Sequence, residues 1–204
     1  MADTFPVPGP RDVRATLDQP DTDSAVVACP PHPRMGGGRR DSRLRAVSEA
    51  LAARSMACLR FDYGPYDEGR AEVTDARAAL AWARENFASV GLFGYSFGAG
   101  VALRGAASES ADGTPPAALA VLSPPATLAG DPVAPAVDAI DCPLCVVAGE
   151  RDDTVDSGPV VERAREAGHT VETYPADHFF AGQEAAVADR VAAFLAANAA
   201  GSTA

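Results

Sequence analysis

Seven short apolar runs recur along the chain, and most of the segments between them have helical spacing. The runs are Val13–Leu17, Ala25–Ala28, Ala57–Phe61, Val90–Phe93, Ala118–Leu122, Leu144–Ala148 and Thr170–Tyr174. The intervening and following segments predict helices over Ser42–Arg54, Ala71–Asn86, Gly98–Ala107, Gly158–Ala167 and Gly182–Asn198. Continuous apolar strands alternating with helices bury themselves in a mainly parallel sheet covered on both faces. The fold class expected is α/β: a single doubly wound, mostly parallel sheet with helices on both faces.

Glu72, Val73, Ala76, Ala79, Leu80 and Ala83 recur at helical spacing in the second helical stretch. Val187, Val191, Phe194 and Leu195 recur at helical spacing in the last one and mark a core-facing side. Ala111–Pro116 reads as a polar loop. The proline-rich stretch Ser123–Asp141 reads as a long irregular connection, too short for a separate lid domain. At 204 residues the chain suits one domain, with an ordered core over about residues 12–198 and a frayed tail at Ala199–Ala204.

The net charge is −11, and all 17 basic residues are arginine. Acids are spread along the whole chain. This balance disfavours nucleic acid and anionic membranes as partners, because both reward basic patches. An acidic surface suits a salt-rich cytoplasm; a codon bias towards Ala, Arg, Gly, Pro and Asp gives the same composition. No apolar run approaches the ~18 residues of a membrane span. Met1–Pro6 has neither a basic region nor an apolar core, so a cytoplasmic location is expected. Of Cys29, Cys58, Cys142 and Cys145, three sit in apolar, strand-like runs, where core packing is the default. Cys142 and Cys145 are spaced as C-x-x-C, but at a strand entry, where no helix N-terminus activates the thiol. No second pair completes a zinc site, so neither metal nor organic cofactor is expected.

Val90-Gly91-Leu92-Phe93 ends at Gly94-Tyr95-Ser96-Phe97-Gly98, and a small-residue helix follows. A serine on a sharp strand-to-helix turn takes strained angles, and side chains two positions away collide with it. Glycines there remove the collision and present the hydroxyl above the sheet. Ser96 is the candidate nucleophile.

A serine nucleophile needs a base. His169 lies between a predicted helix and strand and reads as a solvated turn residue. His32, between prolines, lies well before Ser96. His178 follows the last strand, at the C-terminal sheet edge that Ser96 also occupies, where catalytic groups of α/β sheets gather. His178 is the candidate base. A carboxylate must fix its tautomer and balance the imidazolium. Asp152, three residues after Gly149 at the end of a strand, is the candidate; Asp153 is its close rival, since sequence does not fix which carboxyl points inward.

The order Ser, Asp, His is that of the α/β-hydrolases. Further segments match: His32-Pro33 before a glycine run, Leu59-Arg60-Phe61-Asp62-Tyr63, Gly149-Glu150-Arg151-Asp152, and Ala176-Asp177-His178-Phe179-Phe180. From about Val26 to Leu195 the chain resembles the α/β-hydrolase superfamily, and more narrowly its small, lidless, dienelactone-hydrolase-like serine esterases. The resemblance implies that the loop Cys29–Gly38 supplies half of an oxyanion hole. The donors it implies are the N–H of Phe97, after the nucleophile, and that of Arg34, with Met35 as alternative; Pro33 has none to give. His32 is expected to brace this loop. His32, Met35, Tyr63, Tyr95 and Phe179 are candidates to contact substrate, with Tyr66 and Phe97 nearby; the aromatic ones also fit an ordinary core. Where relatives often carry Arg-Gly and Ser after Phe-Asp-Tyr, this chain has Gly64-Pro65-Tyr66-Asp67-Glu68-Gly69, which changes a cleft border. Dienelactone hydrolases proper use cysteine, so Ser96 points to ordinary ester chemistry. The expected function is hydrolysis of a small acyl substrate, a carboxylic ester first, through an acyl-enzyme. Thioesters, amides and lactones suit the same machinery, and a non-catalytic binding module suits the same fold.

Overall fold

The computed structural model describes residues 4–19 and 21–199. Its strands are β1 (Thr4–Val7), β2 (Val13–Asp18), β3 (Ser24–Cys29), β4 (Ala57–Asp62), β5 (Ser89–Tyr95), β6 (Leu119–Leu122), β7 (Thr127–Leu128), β8 (Asp131–Pro132), β9 (Leu144–Gly149) and β10 (Thr170–Tyr174). Its helices are α1 (Ser42–Ala52), α2 (Arg70–Asn86), α3 (Phe97–Ala111), α4 (Gly158–Glu166) and α5 (Glu184–Ala199). Eight strands form one sheet in the order β1-β2-β4-β3-β5-β6-β9-β10. Within this sheet only the β1–β2 and β2–β4 pairings are antiparallel. This is the mostly parallel sheet that the alternation of runs implied, and among the described residues no separate lid domain interrupts it.

Strand residues alternate between two apolar layers. Val27 and Leu92 face α2, α3 and α4, where Leu80, Val101 and Val160 are buried. Val26 and Phe93 face α1 and α5, where Leu44, Leu51, Val191 and Leu195 are buried. Cys29, Cys58 and Cys145 lie inside these layers. Burial pushes the Cys58 and Cys145 thiols up to about 12, so they act as packing groups.

The topology places the site. From β3 the chain crosses through α1 to β4 on one side of β3; α2 then returns it to β5 on the other side. The crevice above the carboxyl ends of β3 and β5 is therefore a switch point, where ligands of open α/β sheets bind. Cys29 ends β3 and Tyr95 ends β5, paired at Cys29–Gly94.

Several segments differ from the sequence reading. β1 was not anticipated, because Pro6 obscures the strand pattern; an antiparallel edge position accommodates it. α3 starts at Phe97 and runs on to Ala111. α5 starts at Glu184, since Gly182 has φ +75° and sits in a turn. Ala199, expected to fray, ends α5 fully buried, with its carbonyl accepting from the Ser89 hydroxyl. Residues 200–204 of the expected tail lie outside the described residues. The stretch 123–141 is not wholly irregular: β7 and β8 form a ribbon, and a 3₁₀ helix spans Ala134–Ala139.

The β7–β8 turn holds both Ala129 (φ +56°) and Gly130 (φ +83°) in the left-handed region that a type I′ turn requires. Alanine there costs about 1–2 kcal/mol, partly offset by the lower unfolded-state entropy of alanine relative to glycine. Ala129→Gly should raise stability by about 0.5–1 kcal/mol, read as a Tm increase of a few degrees in a thermal melt; an unchanged or lower Tm would refute this account of the turn.

Candidate active site

Ser96 occupies the turn between β5 and α3 with φ +55° and ψ −122°. Its N–H donates to the Leu122 carbonyl at 2.8 Å, which ties the turn to the end of β6. A Cβ on Gly94 would lie 2.2 Å from the Gly98 oxygen. One on Gly98 would lie 2.3 Å from the Cys29 oxygen and 2.4 Å from that of Pro30. The first glycine lets the turn close on itself; the second lets α3 press against the chain leaving β3.

The Ser96 Oγ lies 3.0 Å from His178 Nε2, and His178 Nδ1 lies 2.7 Å from Asp152 Oδ2. All three side chains are largely buried. Because Asp152 is the acceptor at Nδ1, the ring proton resides there, and Nε2 presents its lone pair to the serine hydroxyl. The second carboxylate oxygen accepts from the N–H groups of Thr154 and Val155 at 3.0 and 3.1 Å. Burial alone would raise the Asp152 carboxyl, but the bonds from His178 and the Val155 N–H outweigh it and hold it below the usual carboxylate range. Asp153 is exposed, and the structure does not bring it to His178.

Two contacts hold the histidine loop. The Tyr95 hydroxyl donates to the His178 carbonyl at 3.1 Å. Gly149 lets the acid loop approach, since a Cβ there would meet the Ala176 oxygen at 2.6 Å. Phe180 is fully buried beneath, while Phe179 is half-exposed and edge-on to the imidazole at 5.3 Å. His169 lies at the other end of the sheet, before the first residue of β10.

The Phe97 N–H, at the start of α3, has no acceptor among the described residues. The Arg34 N–H donates to His32 Nδ1 at 3.2 Å, and the Met35 N–H donates to the His32 carbonyl at 3.0 Å. With Nδ1 accepting, the other His32 nitrogen carries the proton and donates to the Tyr66 hydroxyl at 3.2 Å. His32 thus ties two loops together. The Tyr66 loop is held in turn by the buried Glu72 carboxylate, which accepts from the Asp67 and Gly69 N–H groups at 2.8 Å.

A cleft of about 340 Å³ opens over Ser96. His32, Met35, Tyr95 and Phe179 line it. Met35 is 80% exposed, whereas Tyr95 is 1% exposed and forms part of the floor. Tyr63 does not line the cleft: it is buried, its hydroxyl donates to the Pro30 carbonyl at 3.2 Å, and it braces the loop from below. Its place in β4's exit turn, one residue beyond the strand, puts it under the sheet edge. Arg43 and Asp41 line the cleft and were missed. The Arg43 guanidinium sits over the Tyr95 ring at 4.9 Å and is ion-paired with Asp41 at 2.6 Å. Asp41-Ser42-Arg43 reads as a helix start; only the topology shows that this start faces Ser96.

A family model described as the dienelactone hydrolase family matches residues 55–203. No curated protein matches the chain. Among solved structures, an α/β serine hydrolase homologue from Coxiella burnetii is 24% identical, with a TM-score of 0.80 over 96% of this chain and 98% of that one. A serine hydrolase without a lid from Xanthomonas campestris is 22% identical, with a TM-score of 0.79 over 98% and 96% of the two chains. An esterase from Pyrococcus furiosus is 21% identical, with a TM-score of 0.78 over 97% and 91%. At these identities the likeness is one of fold. Among the described residues, no helix is long and apolar enough to cross a membrane.

The two neighbouring aspartates separate cleanly in two measurements. Asp152→Asn should lower ester turnover by roughly two to four orders of magnitude, while Asp153→Asn stays within about twofold, as exposed positions do. Equal effects in a p-nitrophenyl ester assay would contradict the geometry. Asp152 ionises at lower pH folded than unfolded, so its ionised form stabilises the fold above the unfolded value of about 3.9. That contribution fades as pH falls through the lower folded value. The stability gap between wild type and Asp152→Asn should therefore narrow in denaturant titrations below about pH 4.

Proposed function

Because the chain belongs to the dienelactone hydrolase family and is thus a hydrolase acting on esters, we propose that Ser96, His178 and Asp152 form its catalytic triad and that it cleaves a small carboxylic ester through an acyl-enzyme. The observation that carries this reading is the unbroken chain from Ser96 Oγ to His178 at 3.0 Å and on to Asp152 at 2.7 Å, at the floor of an open cleft.

Ser96 Oγ attacks the acyl carbonyl while His178 Nε2 takes its proton. Asp152 stabilises the imidazolium and stays ionised, in keeping with its depressed carboxyl. The negative oxygen of the tetrahedral intermediate turns towards the start of α3, where the Phe97 N–H has no competing acceptor among the described residues and the helix dipole adds positive potential. The Arg34 N–H is the second donor: its 3.2 Å bond to a neutral imidazole is long, and an oxyanion is the stronger acceptor. His178 then protonates the leaving alcohol, and water repeats the sequence on the acyl-enzyme. The chemistry draws on side chains and backbone alone. The acidic surface keeps this activity at high salt, where self-repulsion is screened.

Wild type should hydrolyse p-nitrophenyl acetate and butyrate, and Ser96→Ala should lose roughly four orders of magnitude or more in kcat. Activity should persist at multimolar KCl. Equal rates in the two proteins would overturn the triad and favour a binding module on the same fold; inactivation by KCl would overturn the salt adaptation alone.

A further inference from the structure

Residues 34 to 45 hold five arginines, Arg34, Arg39, Arg40, Arg43 and Arg45, against one acid, Asp41. The whole chain is at −11, so this stretch runs against its surroundings. It begins at the cleft rim and ends in the first turn of α1.

Three hollows follow it. Gly36 and Asp41 line both the catalytic cleft and a second hollow of about 400 Å³. Arg39 and Arg40 line both that hollow and a third of about 330 Å³, whose walls add Arg45 and Arg60. A furrow thus leads from Ser96 to four arginines. Three carboxylates line it as well, Asp41 and Asp62 in the second hollow and Asp18 at the far end, and each is ion-paired, with Arg43, Arg39 and Arg60 respectively.

The four guanidiniums divide into two kinds. Arg39 and Arg60 are mostly buried and held in place: Arg39 is paired with Asp62, Arg60 with Asp18 at 2.7 Å, and Arg60 also donates to the Arg39 carbonyl. Arg40 and Arg45 are exposed, and among the described residues neither guanidinium has a hydrogen bond or an ion pair. Two oriented cations behind two uncommitted ones suit a small anion with several oxygens, which guanidinium forks bind in pairs of hydrogen bonds. The acid excess of the chain as a whole repels anions, so this arginine-rich stretch is a local exception that attracts them.

The furrow also has a direction. Arg43, beside its entrance, packs against Phe179 at 5.7 Å, next to His178. His178 would deliver its proton to the leaving atom, and a leaving group on this side would lie towards the furrow.

We propose that the leaving group of the substrate ends in a phosphate or diphosphate, held by Arg40 and Arg45 with Arg39 and Arg60 behind them. This rests on the serine-esterase reading of the cleft. Water cleaves the acyl bond to oxygen or sulfur, giving a carboxylate and a phosphorylated alcohol or thiol; the phosphate is a handle and is not transferred.

Butyryl-coenzyme A and S-butyryl-N-acetylcysteamine share one thioester and differ in the phosphates beyond it. Wild type should favour the first by about tenfold or more in kcat/KM, and R40Q/R45Q should bring that ratio close to one. The ratio is internal to each protein, so a general loss of folded enzyme does not mimic the effect. It should also shrink as KCl rises from about 0.05 to 0.5 M, because the rim arginines are exposed. Equal kcat/KM for the two thioesters in wild type, or a preference that survives in R40Q/R45Q, would overturn the proposal. Calorimetric binding of inorganic pyrophosphate to Ser96→Ala keeps the site separable from the chemistry. Binding weakened about tenfold by R40Q/R45Q sustains the anion site even if no ester is cleaved. Hydrolysis of p-nitrophenyl butyrate with no pyrophosphate binding removes the anion site and leaves the esterase reading standing.

Discussion

The site depends on one steric fact: the first turn of α3 touches the backbone that leaves β3. At Gly98 a side-chain carbon would stand 2.3 Å from the Cys29 oxygen, so any other residue drives these segments apart. The contact fixes the Ser96 turn against the loop that begins at Pro30. Tyr63 reaches the same Pro30 carbonyl from below, and the Phe97 ring packs on His32 from above. The distance between the Phe97 N–H and the Arg34 loop is thus set by backbone packing, where a shift of a few tenths of an ångström is resisted by many close contacts.

Asp152 and His178 are placed in the same manner. Gly149 admits the Ala176 carbonyl, and the Tyr95 hydroxyl anchors the His178 carbonyl to the end of β5. Four strand ends therefore hold the Ser96, His178 and Asp152 segments through main-chain contacts, and the side chains inherit their positions. Groups held this way need little reorganisation as charge develops, which is the source of most electrostatic rate enhancement. The cost is an active site intolerant of change at small residues that touch no substrate.

What could be read from the sequence was local or topological. The Ser96 turn declares itself because its glycines and its strand-helix setting lie within a dozen residues. The parallel sheet shows in the alternation of apolar runs, and with it the edge where the candidate groups gather. What could not be read depended on orientation. Asp152 and Asp153 are adjacent and chemically identical; only the Thr154 and Val155 N–H groups, folded back onto one of them, decide which turns inward. Tyr63 and Phe179 are both aromatic residues beside cleft loops, yet one braces the loop from beneath and the other borders the cleft. Arg43 carried no sequence signal of the site, because its proximity to Ser96 arises from the crossing of β3, α1 and β5. β1 was hidden by Pro6, which breaks a central strand and suits an edge.

Ser96 holds φ +55°, a region that serine enters at a cost of about 1–3 kcal/mol and glycine enters freely. Ser96 is therefore a standing liability to the fold. Chance replacement of this one residue by glycine would relax the backbone, so drift at its codon runs downhill in free energy. With Ser96 as the proposed nucleophile, selection on the reaction is what opposes it. A lineage that ceased to need the chemistry would shed the serine long before it shed the sheet, leaving a sounder protein with nothing to do.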